Sequence, residues 1–133
     1  MAKKYITIST NGKVDVIDAD ESLGARPRLE FMQKLVGGYV ERVPLDKLED
    51  AFIDMYGDEE ALVKANPVFN RVATDFANRC VGNEWFHMYG NFAIVAYEEG
   101  SEGADWAWLS EKQVNFIMKD CGLEEISNNA KGE

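Results

Sequence analysis

Residues 35–45 read LVGGYVERVPL, and two glycines divide the stretch into an amphipathic half and an alternating half. Upstream, Leu29, Met32, Leu35 and Val36 recur at helical spacing and form one apolar stripe. A glycine just past such a stripe adopts the left-handed conformation that caps the last carbonyls at no steric cost. Gly37 therefore ends a helix that starts near Arg28, and Gly38 lets the chain reverse closely against whatever lies beneath. Downstream, YVERVPL predicts a strand with Val40 facing inward and Val43 as a second inward candidate. Pro44 ends that strand or marks an edge.

Outward from this junction the chain alternates between the two periodicities. KYITIST and VDVID alternate apolar and polar residues around Asn11-Gly12, which predicts a hairpin across residues 4–18 with positive φ at both turn positions. Gly24 and Pro27 argue against a helix through residues 21–27. After a short polar connection, AFIDMYG predicts a strand with Phe52, Asp54 and Tyr56 on one face, and GDEE a turn; ALVKA fits either a strand or a helical turn. NPVFNRVATDFANRC predicts a helix capped by Asn66 with Pro67 at its first position. Its apolar stripe is Phe69, Val72, Ala73, Phe76 and Cys80, and Gly82 ends it. EWFHMYGNFAIVAY predicts two strands, 84–89 and 91–97, the second central because its apolar run is continuous. Ser110 and Gln113 form a capping box and Leu109 with Val114 a hydrophobic staple, so a last helix starts there and Gly122 ends it. The sum is an α+β domain over residues 1–126: an antiparallel or mixed sheet of about five to six strands with about three helices packed on one face. Residues 127–133 have nothing to bury and are expected to be a disordered C-terminal tail.

Composition bounds the function. The 133 residues carry 24 acidic and 14 basic side chains, a net charge of −10. No basic residue lies between Lys47 and Lys64 or between Arg79 and Lys112, while carboxylates accumulate in both intervals. Such a surface repels phosphate backbones, which disfavours direct nucleic-acid binding. No apolar run approaches the roughly 20 residues of a membrane span, and the N-terminal alternation does not read as a signal segment. Cys80 and Cys121 are too few for a disulfide framework and read as buried reduced thiols of a cytoplasmic protein. With His87 as the sole histidine there is no zinc constellation, and no cofactor motif is present: neither a phosphate loop nor GxGxxG nor GxSxG occurs.

Two groups of side chains stand out as binding candidates. Trp85, Phe86 and Tyr89, with Trp106 and Trp108, flank an acidic loop that carries Glu98, Glu99, Glu102 and Asp105; aromatic surface beside acid suits a protein partner. Arg71 and Arg79 on the polar face of the middle helix are the candidate anion contacts, although Asp75 lies within reach of Arg71.

The quoted stretch also carries a resemblance. Leu35 to Glu41, the turn Gly57 to Glu60, the segment Asn70 to Thr74 and the strand Gly90 to Val95 resemble the domain of unknown function 3846 family, small proteins of bacteriophages and bacteria. GDEE stands where members often have NEEG, and the similarity runs from about residue 3 to residue 97, short of the last helix. The resemblance implies a phage or bacterial cytoplasmic setting and brings no reaction with it. It directs attention to Tyr39 and Glu41 on one strand face and to Asn70 and Arg71 on the helix, which would make a small polar site if those faces meet. The expected function is that of a non-catalytic accessory protein binding a host protein through its acidic and aromatic surface. The alternative is sequestration of a small anionic ligand such as a nucleotide signal, held by Tyr39, Glu41, Asn70, Arg71 and Arg79. A small enzyme is the third reading, and a homo-oligomer is compatible with the sequence.

Overall fold

The central strand β5 (Phe92–Tyr97) is buried along almost its whole length and pairs on both sides, which organises the rest. The computed structural model describes residues 3–64, 66–98 and 105–131. Its sheet has the order β2-β1-β5-β4-β3, every pair antiparallel: β1 (Lys4–Ile8), β2 (Val14–Asp18), β3 (Val40–Val43) and β4 (Ile53–Asp58). A short strand β6 (Trp106–Ala107) extends the β1 side of β5, pairing Ala96 with Ala107.

Alternation sends the strand side chains to two cores. Ile6, Ile8, Ile53, Met55, Phe92 and Ile94 point to one face, where they meet α3 (Arg71–Val81), α4 (Glu111–Asn115) and α5 (Leu123–Lys131). Tyr5, Tyr56, Ala93 and Val95 point to the other, where α1 (Leu29–Val36) covers them with Met32 and Val36. Helices therefore flank both faces, not one as the sequence suggested. The physical reason lies in FAIVAY: a strand apolar on both faces needs both covered. A one-turn helix, α2 (Asp46–Glu49), joins β3 to β4 and buries Leu48 in the first core. In α1 the stripe is rotated from the expected one. Leu29 is exposed, and Phe31 instead packs edge-on against Tyr5 and Trp108, at 5.0 and 5.5 Å.

Several local expectations change. The first hairpin has a five-residue loop: Gly12 N donates to Ser9 O, Ser9 N donates to Lys13 O, and Gly12 alone takes positive φ. This is a turn followed by a glycine bulge, which costs Asn11 no left-handed strain. The middle helix starts at Arg71, four residues after Pro67, because Asn70 and not Asn66 caps it. Residues 84–89 form no sheet strand; only Tyr89 bridges, to Phe69. The last helix breaks at a π-turn, Phe116–Asp120, and after Gly122 the chain resumes as α5. Residues 127–131 are thus helical where a disordered tail was expected. Ser127 is buried and Ala130 packs on the core, an amphipathic face that the polar run SNNAK hides.

The quoted glycine pair is explained at atomic scale. Gly37 is the left-handed cap, with φ of 86°, its amide donating to Gln33 O. What lies beneath Gly38 is the carboxylate of Asp58: a Cβ on Gly38 would stand 2.5 Å from Oδ1. Asp58 in turn accepts from the Glu60 amide at 2.9 Å and pairs with Lys64, whose ammonium also donates to Gly37 O at 2.8 Å.

Candidate functional site

The polar side of α3 decides what becomes of residues 83–90. Asn70, Thr74 and Asn78 recur every four residues and so share one face of the helix. The Asn78 amide brackets Phe86, accepting from its N–H at 2.7 Å and donating to its carbonyl at 3.1 Å. Thr74 Oγ1 accepts from the Met88 amide at 2.8 Å. Asn70 is fully buried; its Oδ1 caps the helix at the Ala73 amide, and its Nδ2 donates to Ile8 O and Gly90 O. The segment that reads as a strand is therefore clamped to a helix side by side-chain hydrogen bonds. Each is worth about 1 kcal/mol net, and more is lost when a buried partner is left unpaired.

This clamp creates two adjoining hollows that share His87. The first, about 260 Å³, opens between the ends of β3 and β4 and the clamped segment, with Glu41, Asp58, Glu59, Leu62 and Tyr89 around it. Gly57 makes room for its Phe92 floor, since a Cβ there would meet the ring at 2.3 Å. The second is wider and more open, about 800 Å³, with Phe69, Asp75, Arg79, Glu84 and Phe86 on its walls. Phe69 and Tyr89, one in each hollow, pack edge-to-face at 5.7 Å. Leu62 and Phe69 are exposed around this region, and Trp85, next to the rim residues Glu84 and Phe86, is 80% exposed. Burial pushes the Asp58 carboxyl up, but Lys64 and the Glu60 amide outweigh it and hold it below the usual carboxylate range. Asp58 is thus held as a carboxylate paired with Lys64, and Glu41 and Glu59 are the further carboxylates of the first hollow.

The expected site residues are only partly brought together. Glu41 lines the first hollow. Tyr39 is exposed and lines neither hollow; its carbonyl accepts from the Glu59 amide. Asn70 is a buried cap and cannot serve a ligand. Arg71 pairs with Asp75 at 3.7 Å and borders a separate hollow with Ile126 and Asn129. Arg79 lies across Gly122 with Glu125 at 3.6 Å and lines the second hollow. The Tyr39/Glu41 face and the Asn70/Arg71 face therefore do not form a common site, because Asn70 turns inward to cap its helix.

The aromatic group divides between the faces. Trp85 projects into solvent, and Phe86 packs on the core of the α3 face. Trp106 and Trp108 belong to the other core: Trp106 meets Tyr56 edge-on at 5.4 Å, and Trp108 is buried with its indole N–H on Gly24 O. Glu98 and Asp105 both face Arg26, at 2.8 and 3.6 Å; Glu99 and Glu102 lie outside the described residues. Tyr89, expected with the aromatic group, lines the first hollow, while Leu62, Phe69 and His87 went unpredicted as its neighbours. The signal for Phe69 was there in NPVFN, where a cap at Asn70 leaves the phenylalanine outside the helix.

Around the buried Asp54 the charges are satisfied. It accepts from Arg42 Nε at 3.0 Å and from Tyr56 Oη at 3.1 Å, and Arg42 also pairs with Glu49. Burial, ahead of the Asp54 charge, pushes the Tyr56 phenol well above its ordinary value. Among the described residues, no group of three or more His, Cys, Asp or Glu side chains is arranged to hold a metal ion, and no helix is long and apolar enough to cross a membrane.

Comparison with known proteins places the chain. Residues 3–122 match the model of the domain of unknown function family DUF3846. The chain belongs to this family, and the match runs past residue 97 to include α4 and the π-turn. No curated protein and no solved structure matches.

Proposed function

We propose that this member of the DUF3846 family is a non-catalytic phage-type accessory protein of the host cytoplasm, and that it binds a host protein at the double hollow around His87. The occupant is a partner segment carrying Lys or Arg beside an apolar side chain. One observation carries the reading: exposed Leu62 shares the first hollow with Glu41 and Glu59, and exposed Phe69 shares the second with Glu84. Apolar side chains supply the affinity of such a surface, and the acids steer a basic partner to it and exclude acidic ones. Sequestration of a nucleotide is the weaker reading, since Arg71 and Arg79 each face a carboxylate and the first hollow is acidic. Catalysis is weaker still, because among the described residues no hydrogen bond orients His87 as a base would require.

A photo-crosslinking residue at position 62 tests this in host lysate, followed by affinity measurement with the purified captured protein. The expected partner binds through a basic, apolar segment, with affinity that falls as salt is raised. Leu62→Asp and Phe69→Asp each weaken it by about tenfold or more, while Val16→Asp on β2 leaves it unchanged. Equal binding by all three variants, salt-independent binding, or no specific capture would overturn the proposal. A nucleotide that raises Tm would replace it with sequestration.

A further inference from the structure

Another hollow, of about 490 Å³, lies where the start of β1, the end of β6 and the start of α4 meet, and it shares no lining residue with those around His87. Its size is within the usual range of small-molecule sites, and its lining is mostly apolar, with Ala25, Ala107 and the edge of Trp108. The walls are fixed by contacts within the chain. Lys4 and Leu109 exchange two backbone hydrogen bonds, at 3.0 and 2.7 Å, and Lys3 O accepts from the Ala19 amide at 2.8 Å. Trp108 donates its indole N–H to Gly24 O at 3.1 Å and stands against Tyr5 and Phe31, which hold the ring in place. The capping box ties Ser110 to Gln113. Charge then selects the occupant. In a chain of net charge −10, this rim carries Lys3 and Lys112 against Glu111 alone. Both lysines are exposed, and among the described residues neither forms an ion pair. Two ammoniums and one carboxylate leave a single positive charge at the mouth of an apolar hollow.

We propose that this hollow binds a small monocarboxylate with an apolar body, of the kind that a medium-chain fatty acid presents. The ammoniums of Lys3 and Lys112 take the carboxylate, and the chain lies along Ala25, Ala107 and Trp108. Ser110 Oγ accepts from the Gln113 amide, which leaves the hydroxyl hydrogen to donate to the same carboxylate. Covering the methylenes supplies most of the affinity, since that term scales with the apolar area removed from water. The lysines supply the preference for sign, because attraction at an exposed rim is modest but its reversal is felt. Glu111 sets the charge of the ligand. One negative charge is matched by the rim, whereas a doubly charged phosphate meets the Glu111 carboxylate as well, and an amine of the same length meets two ammoniums.

The test is an amide NMR titration of the full-length protein with octanoate and, separately, with octylamine, both kept below the concentrations at which they form micelles. Octanoate is expected to shift the amides of Ala25 and of residues 107–112, together with the Trp108 indole N–H, and to saturate with a Kd of about 1–10 mM or tighter. Octylamine is expected to bind there at least about tenfold more weakly. In the double variant Lys3→Glu/Lys112→Glu the octanoate affinity should fall by about tenfold and the preference over octylamine should vanish or invert. The proposal is overturned if octanoate gives no saturable shift at these amides, if its shifts centre on the residues around His87, or if the two amphiphiles bind equally well. It is equally overturned if the double variant binds octanoate as the wild type does. Shifts of the same amides on diluting the protein alone would assign the hollow to a second copy of the chain and overturn it too. The comparison of the two amphiphiles on the wild type decides even if the double variant does not fold.

Discussion

At the scale of single residues, the glycine pair shows how one position can be read and its neighbour left open. Gly37 follows from helix termination alone. Gly38 does not, because its φ is ordinary and its need is steric: the Asp58 carboxylate occupies the space of its Cβ. Gly38→Ala should therefore destabilise by about 1–3 kcal/mol, the usual range for an overpacked contact. Removing the obstacle in Gly38→Ala/Asp58→Ala should bring the double mutant closer to Asp58→Ala than additivity predicts, as measured by urea unfolding of the four proteins. Asp58 also has a pH signature. Its carboxyl titrates below the usual range in the folded state, so its contribution to stability is complete above the ordinary carboxylate pKa. That contribution is lost as pH falls through the ordinary value toward the folded one. The stability difference between wild type and Asp58→Asn should accordingly be constant near neutrality and shrink below about pH 4.

At the scale of elements, α3 is both a core helix and a clamp. Asn66-Pro67 looks like a helix start because it has the right residues for one. Asn70 wins because from its position one amide can cap the helix and also satisfy the buried carbonyl of Ile8 and the half-buried carbonyl of Gly90. Asn70→Ala removes the cap and orphans both, and should cost about 2–4 kcal/mol. Hydrogen exchange is expected to report the loss first at the amides of α3's first turn and of Gly90. The clamp also explains why WFHMY is not a strand. Phe86 and the Met88 amide find side chains of Asn78 and Thr74, the Met88 carbonyl finds the Asn70 backbone amide, and no periodicity in residues 84–89 records what a helix elsewhere will offer. The break at the π-turn is similar. The capping box from Ser110 to Gln113 was legible and is present. The second segment depends on Leu123, Ile126 and Ala130 finding the core beside α3.

At the scale of the whole molecule, charge and topology divide the work. Self-repulsion from a net charge of −10 weakens as salt screens it. The chain's own Tm should thus hold or rise with salt while the proposed docking weakens. That opposition separates loss of binding from loss of fold in the affinity test. Topology places the two hollows where β3, β4, α3 and the clamped segment meet, and packs Trp106 and Trp108 on the far side of the sheet.

By itself the sequence determined the α+β class, the central place of FAIVAY, the first hairpin, the capping box and the family. Each of these rests on contacts within a few residues, on a strict two-residue or helical period, or on motifs that travel together. Only the tertiary structure decided which faces the helices cover, what each polar side chain satisfies, and which aromatics remain outside. These depend on partners far apart in the chain: Asn70 with Ile8, Gly38 with Asp58. A buried polar group takes whatever partner the fold brings within hydrogen-bond distance, and its position in the chain does not name that partner in advance.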